Sequence, residues 1–130
     1  MISIACNIQE CYFEIIKKHF TSKDFYLEKF NPASYDDIYF IEINTLNDLD
    51  KIHQINRYPE TLIYIIGPND FHLLNECLTL GIHLYFEKDD LENSLHSKSE
   101  TIHQQIFTRF KTYHYKNKQM SNYVCRIHES

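Results

Sequence analysis

The stretch 61–90, TLIYIIGPNDFHLLNECLTLGIHLYFEKDD, constrains the fold of this chain more than any other. It opens with the β-branched apolar run Leu62-Ile63-Tyr64-Ile65-Ile66 and closes that run with the turn signal Gly67-Pro68-Asn69-Asp70. Phe71, Leu74, Cys77 and Leu78 then recur at helical spacing, Gly81 stops the helix, and Ile82 to Phe86 forms a second apolar run before Lys88. A continuous apolar run has no wet face, so both strands are expected to be covered on two sides. Strand, helix, glycine stop and strand within about 30 residues make the βαβ unit of a parallel sheet.

The rest of the chain reads as elements that extend and cover that sheet. Ile2 to Cys6 predicts a first strand, and Gln9 to Phe20 a helix with Tyr12, Phe13, Ile16 and Phe20 on one face. Residues 24–30 alternate as a half-buried edge strand, Asn31-Pro32-Ala33-Ser34 makes a turn, and Tyr35 to Ile43 is a third strand. Thr45 or Asn47 caps a helix running to about Asn56, which Tyr58-Pro59 ends because the residue before proline avoids the helical region. A long helix from about Asp90 to Phe107, lined by Leu91, Leu95, Ile102 and Ile106, completes the order.

At 130 residues the chain fits one domain with a substantial core, to which 10 Tyr and 9 Phe contribute much of the volume. Two glycines argue against Gly-rich phosphate loops. Cys6, Cys11, Cys77 and Cys125 include no CxxC pair and read as small buried hydrophobes, and the eight histidines have no metal-ligand spacing. No cofactor and no metal are expected. No window is long and apolar enough for a membrane span and the N-terminus lacks a signal pattern, so the expected address is cytoplasmic.

Charge divides the chain. Residues 109–130 carry Arg109, Lys111, Lys116, Lys118 and Arg126 against Glu129 alone, while the remainder holds 8 basic and 17 acidic residues. The runs 111–115 and 122–127 read as two strands around a polar turn, a basic β-hairpin. Either it packs as a ribbon on the domain or, the favoured reading, it opens a truncated second domain.

The order of elements is that of a flavodoxin/CheY-like doubly wound five-stranded parallel sheet, in which functional groups gather at the carboxyl ends of the strands. Within it, Leu80-Gly81-Ile82-His83-Leu84-Tyr85-Phe86-Glu87-Lys88 resembles the last strand–helix junction of response-regulator receiver domains, G-A-x-D-Y-[hydrophobic]-x-K-P. Tyr35-Asp36-Asp37-Ile38-Tyr39-Phe40 is similar to the Y-D-L-I-[aromatic]-L that leads to their phosphoacceptor aspartate, and the basic hairpin is similar to the first strands of a LytTR-type DNA-binding domain. The resemblance covers about residues 1–107 and implies a receiver-like domain over 1–108, followed by a linker and hairpin over 109–130. DNA would be bound through a C-terminal domain mostly absent here.

Carried over position by position, the resemblance puts Ile8 and Gln9 where receivers hold the Mg²⁺-binding acids, with Glu10 the only carboxylate nearby. Ile41 falls on the phosphoacceptor, and Glu42 replaces it only if a bulge shifts the register, because adjacent strand residues point to opposite faces. Gly67 takes the switch Ser/Thr position, Tyr85 the switch aromatic and Lys88 the phosphate-pairing lysine, with Asp89 in place of the proline that follows. Lys88 has Glu87, Asp89, Glu10, Glu42 or solvent as its possible partners.

Aspartyl phosphorylation needs a carboxylate nucleophile and a hard oxygen site for Mg²⁺, and Ile8, Gln9 and Ile41 supply neither. The expectation is therefore a pseudo-receiver: no enzyme, no phosphorylation, and action by homodimerisation or other protein contact. In the family the last helix–strand–helix face dimerises, which here leaves His72, Asn75, Glu76, Asn93, His96 and Lys98 outward to choose a partner. The alternative is a small-ligand-binding or enzymatic flavodoxin-like domain using a pocket near Lys88. A further departure is that residues 30–35 leave no room for the family's second helix, which must be shortened or missing; six or so residues span at most about 20 Å.

Overall fold

The computed structural model describes the backbone of residues 1–129 and the side chains of residues 1–110. Five strands, β1 (Ile2–Asn7), β2 (Phe25–Lys29), β3 (Ile38–Glu42), β4 (Leu62–Gly67) and β5 (Leu84–Glu87), form one sheet in the order β2-β1-β3-β4-β5. Every neighbouring pair is parallel. This is the flavodoxin/CheY-like doubly wound sheet expected from the element order, with the strand order reversing between β1 and β3.

Helix α1 (Glu10–His19) follows β1, α2 (Asp50–His53) follows β3 after a 3-10 turn over Leu46–Leu49, α3 (Phe71–Thr79) follows β4, and α4 (Leu91–Glu129) follows β5. Local chemistry sets these boundaries. Thr45 and Asp48 form a reciprocal capping box at the 3-10 turn, and the Asp70 carboxylate accepts from the Leu73 N–H to start α3. Gly81 ends that segment with a φ of 80°, a conformation that favours a residue without a β-carbon.

The period of two along each strand divides the core between the two faces of the sheet. On one face Phe20, Phe25, Phe40, Tyr64 and Phe86 form a chain of aromatic contacts, with Phe20–Phe25 and Phe40–Tyr64 edge-on at 5.1 and 5.2 Å between ring centroids. On the other, Ala5, Tyr39, Ile41, Ile43, Ile63 and Ile65 pack with Ile52, Leu73 and Cys77. Five of the 19 Tyr and Phe residues thus line the first of these faces.

The second helix of the receiver pattern is missing, as the short connection required. Residues 30–37 make a tight return instead: the Ser34 N–H donates to the Asn31 carbonyl, and the Asn56 amide donates to the carbonyls of Pro32 and Ser34. Ser3 and Asp37 then clasp each other, Ser3 N–H to Asp37 Oδ2 at 3.0 Å and Asp37 N–H to Ser3 Oγ at 3.0 Å.

Three expectations need correction. The helix expected between Thr45 and Asn56 is a 3-10 turn followed by only Asp50–His53. Cys11 is exposed on α1, so it is not a buried hydrophobe like Cys6 and Cys77. The backbone over 91–129 is helical throughout, so the two strands expected within 111–127 are not formed. No glycine or proline follows Gly81 to stop a helix, and Tyr113, Met120, Val124 and Ile127 recur at spacings of seven, four and three that suit a helix as well as a strand. Leu91, Leu95, Ile102 and Ile106 are all buried. The chain divides into two compact units, Met1–Ser99 and Glu100–Ser130.

Candidate functional site

The carboxyl ends of β1, β3 and β5 bring together the residues on which any chemistry of this sheet depends. β3 ends in Glu42, which is only 4% exposed. Lys88, directly after β5, places Nζ 3.0 Å from Glu42 Oε2, with side-chain exposures of 17% and 5%. Lys88 also donates to Asn44 Oδ1 and lies 5.8 Å above the ring of Tyr12. The lysine is therefore neither solvated nor aimed into an apolar pocket, and of its candidate partners it takes Glu42.

Gln9, which precedes α1, closes the network from the β1 side. Its backbone N–H donates to Glu42 Oε1 at 2.8 Å and its side-chain Nε2 to Oε2 at 2.6 Å. The Asn44 amide donates to Oε2 at 3.3 Å, and Lys51 Nζ donates to the Glu42 backbone carbonyl at 3.3 Å. Burial alone would raise the Glu42 carboxyl, but the Gln9 amide, the Lys88 ammonium and the side chains of Gln9 and Asn44 together hold it below its ordinary range. Both oxygens are thus engaged by protein donors, as a buried carboxylate requires.

At this corner Ile41 and Glu42 point to opposite faces, as strand alternation requires. β3 pairs one-to-one with β1 and β4, without a bulge, and Glu42 stands opposite Ile66. Yet it is Glu42 that meets Lys88, while Ile41 lies fully buried in the opposite core with Ala5 and Ile63. Asp37 is tied to Ser3, Ile38 opens β3, and the strand's last residue is Glu42.

Of the two residues placed at the Mg²⁺ positions, Gln9 belongs to the Glu42 network. Ile8 instead lines a cleft of about 230 Å³ with Cys6, Asn7, Glu10, Phe13, Lys29 and Phe30, so Glu10 is in that cleft as well. Among the described residues there is no cluster of three or more His, Cys, Asp or Glu side chains able to hold a metal ion.

Gly67 and Tyr85 form a second unit at the ends of β4 and β5. The Tyr85 hydroxyl donates to the Pro68 carbonyl at 2.6 Å. A β-carbon on Gly67 would run into that ring, 2.8 Å from Cζ, and come 3.1 Å from the Ile43 carbonyl. Burial, followed by the charges of Cys77, Asp70 and Glu87, pushes the Tyr85 phenol up to about 12. The tyrosine fills the place where a side chain at position 67 would stand.

On α3, His72 and Asn75 are exposed and Glu76 is half-buried, and Asn93, His96 and Lys98 are exposed on α4. Of the residues at helical spacing on α3, Cys77 is buried and Leu74 half-buried, but Phe71 and Leu78 are 76% and 53% exposed, and Leu73 is buried beside Cys77. Asn44, Lys51 and Tyr12 were not anticipated at the site. The signal for Asn44 is its position two residues beyond Glu42, on the same side of the extended chain.

No protein-family model matches the chain, and no curated protein does. Among solved structures it is similar to the pilus assembly protein CpaE from Caulobacter crescentus CB15, at 16% identity and a TM-score of 0.51 over 68% of this chain and 89% of that one. It is also similar to a putative CpaE2 pilus assembly protein from Sinorhizobium meliloti 1021, at 13% identity and a TM-score of 0.50 over 74% and 98% of the two chains. A response regulator protein from Burkholderia multivorans aligns at 13% identity and a TM-score of 0.49, over 68% and 84%. At these identities the likeness is one of fold. Among the described residues no helix is long and apolar enough to cross a membrane.

Proposed function

We propose that residues 1–99 act as a receiver-like signalling domain that works by protein contact without aspartyl phosphorylation. The carrying observation is the state of Glu42: both carboxylate oxygens accept from Gln9, Lys88 and Asn44. A phosphoacceptor needs a free carboxylate oxygen and an adjacent metal, and here the lysine that receivers use for the phosphoryl group neutralises the acid itself. Gly67 in the switch position, with Tyr85 filling the space beside it, supports the same reading.

The contact surface we assign is the α3 side. Phe71 and Leu78, one turn on either side of half-buried Leu74, make an exposed apolar ridge flanked by His72, Asn75 and Glu76. Asn93, His96 and Lys98 extend its polar rim in the proposed homodimer. An exposed apolar ridge with a polar border is the usual anatomy of a protein interface. The reading of a DNA-binding partner domain rested on the C-terminal hairpin, and the helical backbone there withdraws that support. The small-ligand alternative rested on Lys88 reaching into an apolar pocket, and its pairing with Glu42 likewise removes that basis.

Light scattering tests the contact reading. The wild-type chain is expected to show the mass of a dimer at micromolar concentration, and Phe71→Asp/Leu78→Asp the mass of a monomer with an unchanged melting temperature. A wild-type monomer, or a dimer indifferent to both substitutions, contradicts the assigned surface.

A further inference from the structure

The thin flank of the sheet, where the second helix is missing, holds an acid pair that the carboxyl-end site does not use. Glu28 on edge strand β2 is in register with Ala5 of β1, and so lies on the face that carries Tyr39. Asp36, just before β3, is 4% exposed, and its Oδ2 finds no hydrogen-bond donor. Its backbone is pinned, since the Asp36 N–H donates to the Tyr39 hydroxyl at 2.9 Å, which in turn donates to the Ser34 carbonyl at 3.4 Å. The Glu28 carboxyl is within hydrogen-bonding reach of the Asp36 carboxyl. Two carboxyls can bond to each other only if one carries a proton.

We propose that Asp36, protonated, hydrogen-bonds Glu28 and so forms a latch that fastens edge strand β2 to the sheet in mildly acid solution and loosens it above neutrality. The groups that face Asp36 are Glu28 from β2, Cys6 and Ser3 from β1, and Asp37 and Tyr39 from its own segment. The titratable ones among them are all acids. When the Asp36 proton leaves, two carboxylates stand together in a poorly solvated place, and repulsion falls on an edge of the sheet, a five-residue strand with a neighbour on one side only.

Burial, then the hydrogen bond and charge of Glu28, push the Asp36 carboxyl up to about 6 from its ordinary 3.8, with the Ser3 hydroxyl working the other way. A raised acid favours the folded state most when protonated. The stabilisation is complete below 3.8 and is lost as pH rises through about 6. The neighbouring Tyr39 phenol is raised too, so it stays neutral across this range.

The test follows the carboxyl carbon of Asp36 by NMR in the wild-type chain, together with amide exchange. A midpoint near 6 is expected, with protection factors in Phe25–Lys29 falling between pH 5 and 7.5 while those in Leu62–Gly67 hold. Glu28→Gln is expected to lower the midpoint and abolish the pH dependence of protection in β2. Asp36→Asn, where it folds, should flatten the fall in melting temperature over the same range. An Asp36 midpoint in the ordinary carboxylate range, or β2 protection equal at both pH values, overturns the latch.

Discussion

Lys88 and Glu42 are the pair on which the reading of the site turns, and their energetics separate two substitutions that look alike. Lys88→Met leaves a buried carboxylate without its cation, and breaking such a pair costs about 3 kcal/mol. Glu42→Gln keeps an acceptor for Gln9 and leaves Lys88 its bond to Asn44, so about 1 kcal/mol is expected. Urea unfolding at pH 7 orders the two, and equal costs would show that the pair is not the centre of the network. The pH dependence has a definite sign. The Glu42 carboxyl is lowered from 4.5 in the folded chain, so its contribution is present above 4.5 and lost as pH falls through the lower folded value. Lys88→Met should weaken that acid-side loss, because part of the lowering disappears with the ammonium.

Strand β4 ends in a glycine for a reason set by β5. Gly67→Ala forces a β-carbon against the Tyr85 ring and the Ile43 carbonyl, and overpacking of this kind costs about 1–3 kcal/mol. The two sites share one space, so Gly67→Ala combined with Tyr85→Ala should cost clearly less than the sum of the single changes. Strict additivity in chemical unfolding would mean that Tyr85 does not occupy the place of a position-67 side chain. Much of this was legible in the sequence. The runs of β1, β3 and β4 and the Gly81 stop fixed the sheet, and Gly67, Tyr85 and Lys88 were all placed at its carboxyl end. Which of Ile41 and Glu42 meets Lys88 was not legible, because a period-two pattern cannot reveal it when both neighbours are buried. The tie between Asp37 and Ser3 that sets the true start of β3 links residues 34 positions apart, which no local pattern records. The distal part of α4 was lost to the opposite error, in which short alternation around Tyr113 and Val124 was read as strand.

Taken whole, the molecule joins a sheet whose carboxyl end is internally neutralised to a flank whose acids are not. Glu42 loses its stabilising charge at low pH and Asp36 its stabilising proton as pH rises, so thermal stability should peak close to 4.5 and decline as pH rises from there through about 6. On the proposed reading, the doubly wound sheet lacks one covering helix, the pair at its carboxyl end is engaged by the chain's own side chains, and α3 is the surface offered to a partner. The most direct test is a titration of the chain with Mg²⁺ and beryllofluoride, followed by amide NMR at Gln9, Glu42, Asn44 and Lys88. The account predicts resonances that do not move with Mg²⁺ alone or with both reagents. Magnesium-dependent, saturable shifts at Glu42 and Lys88 would contradict it, because they would mean that the pair opens to admit a metal and a phosphoryl group.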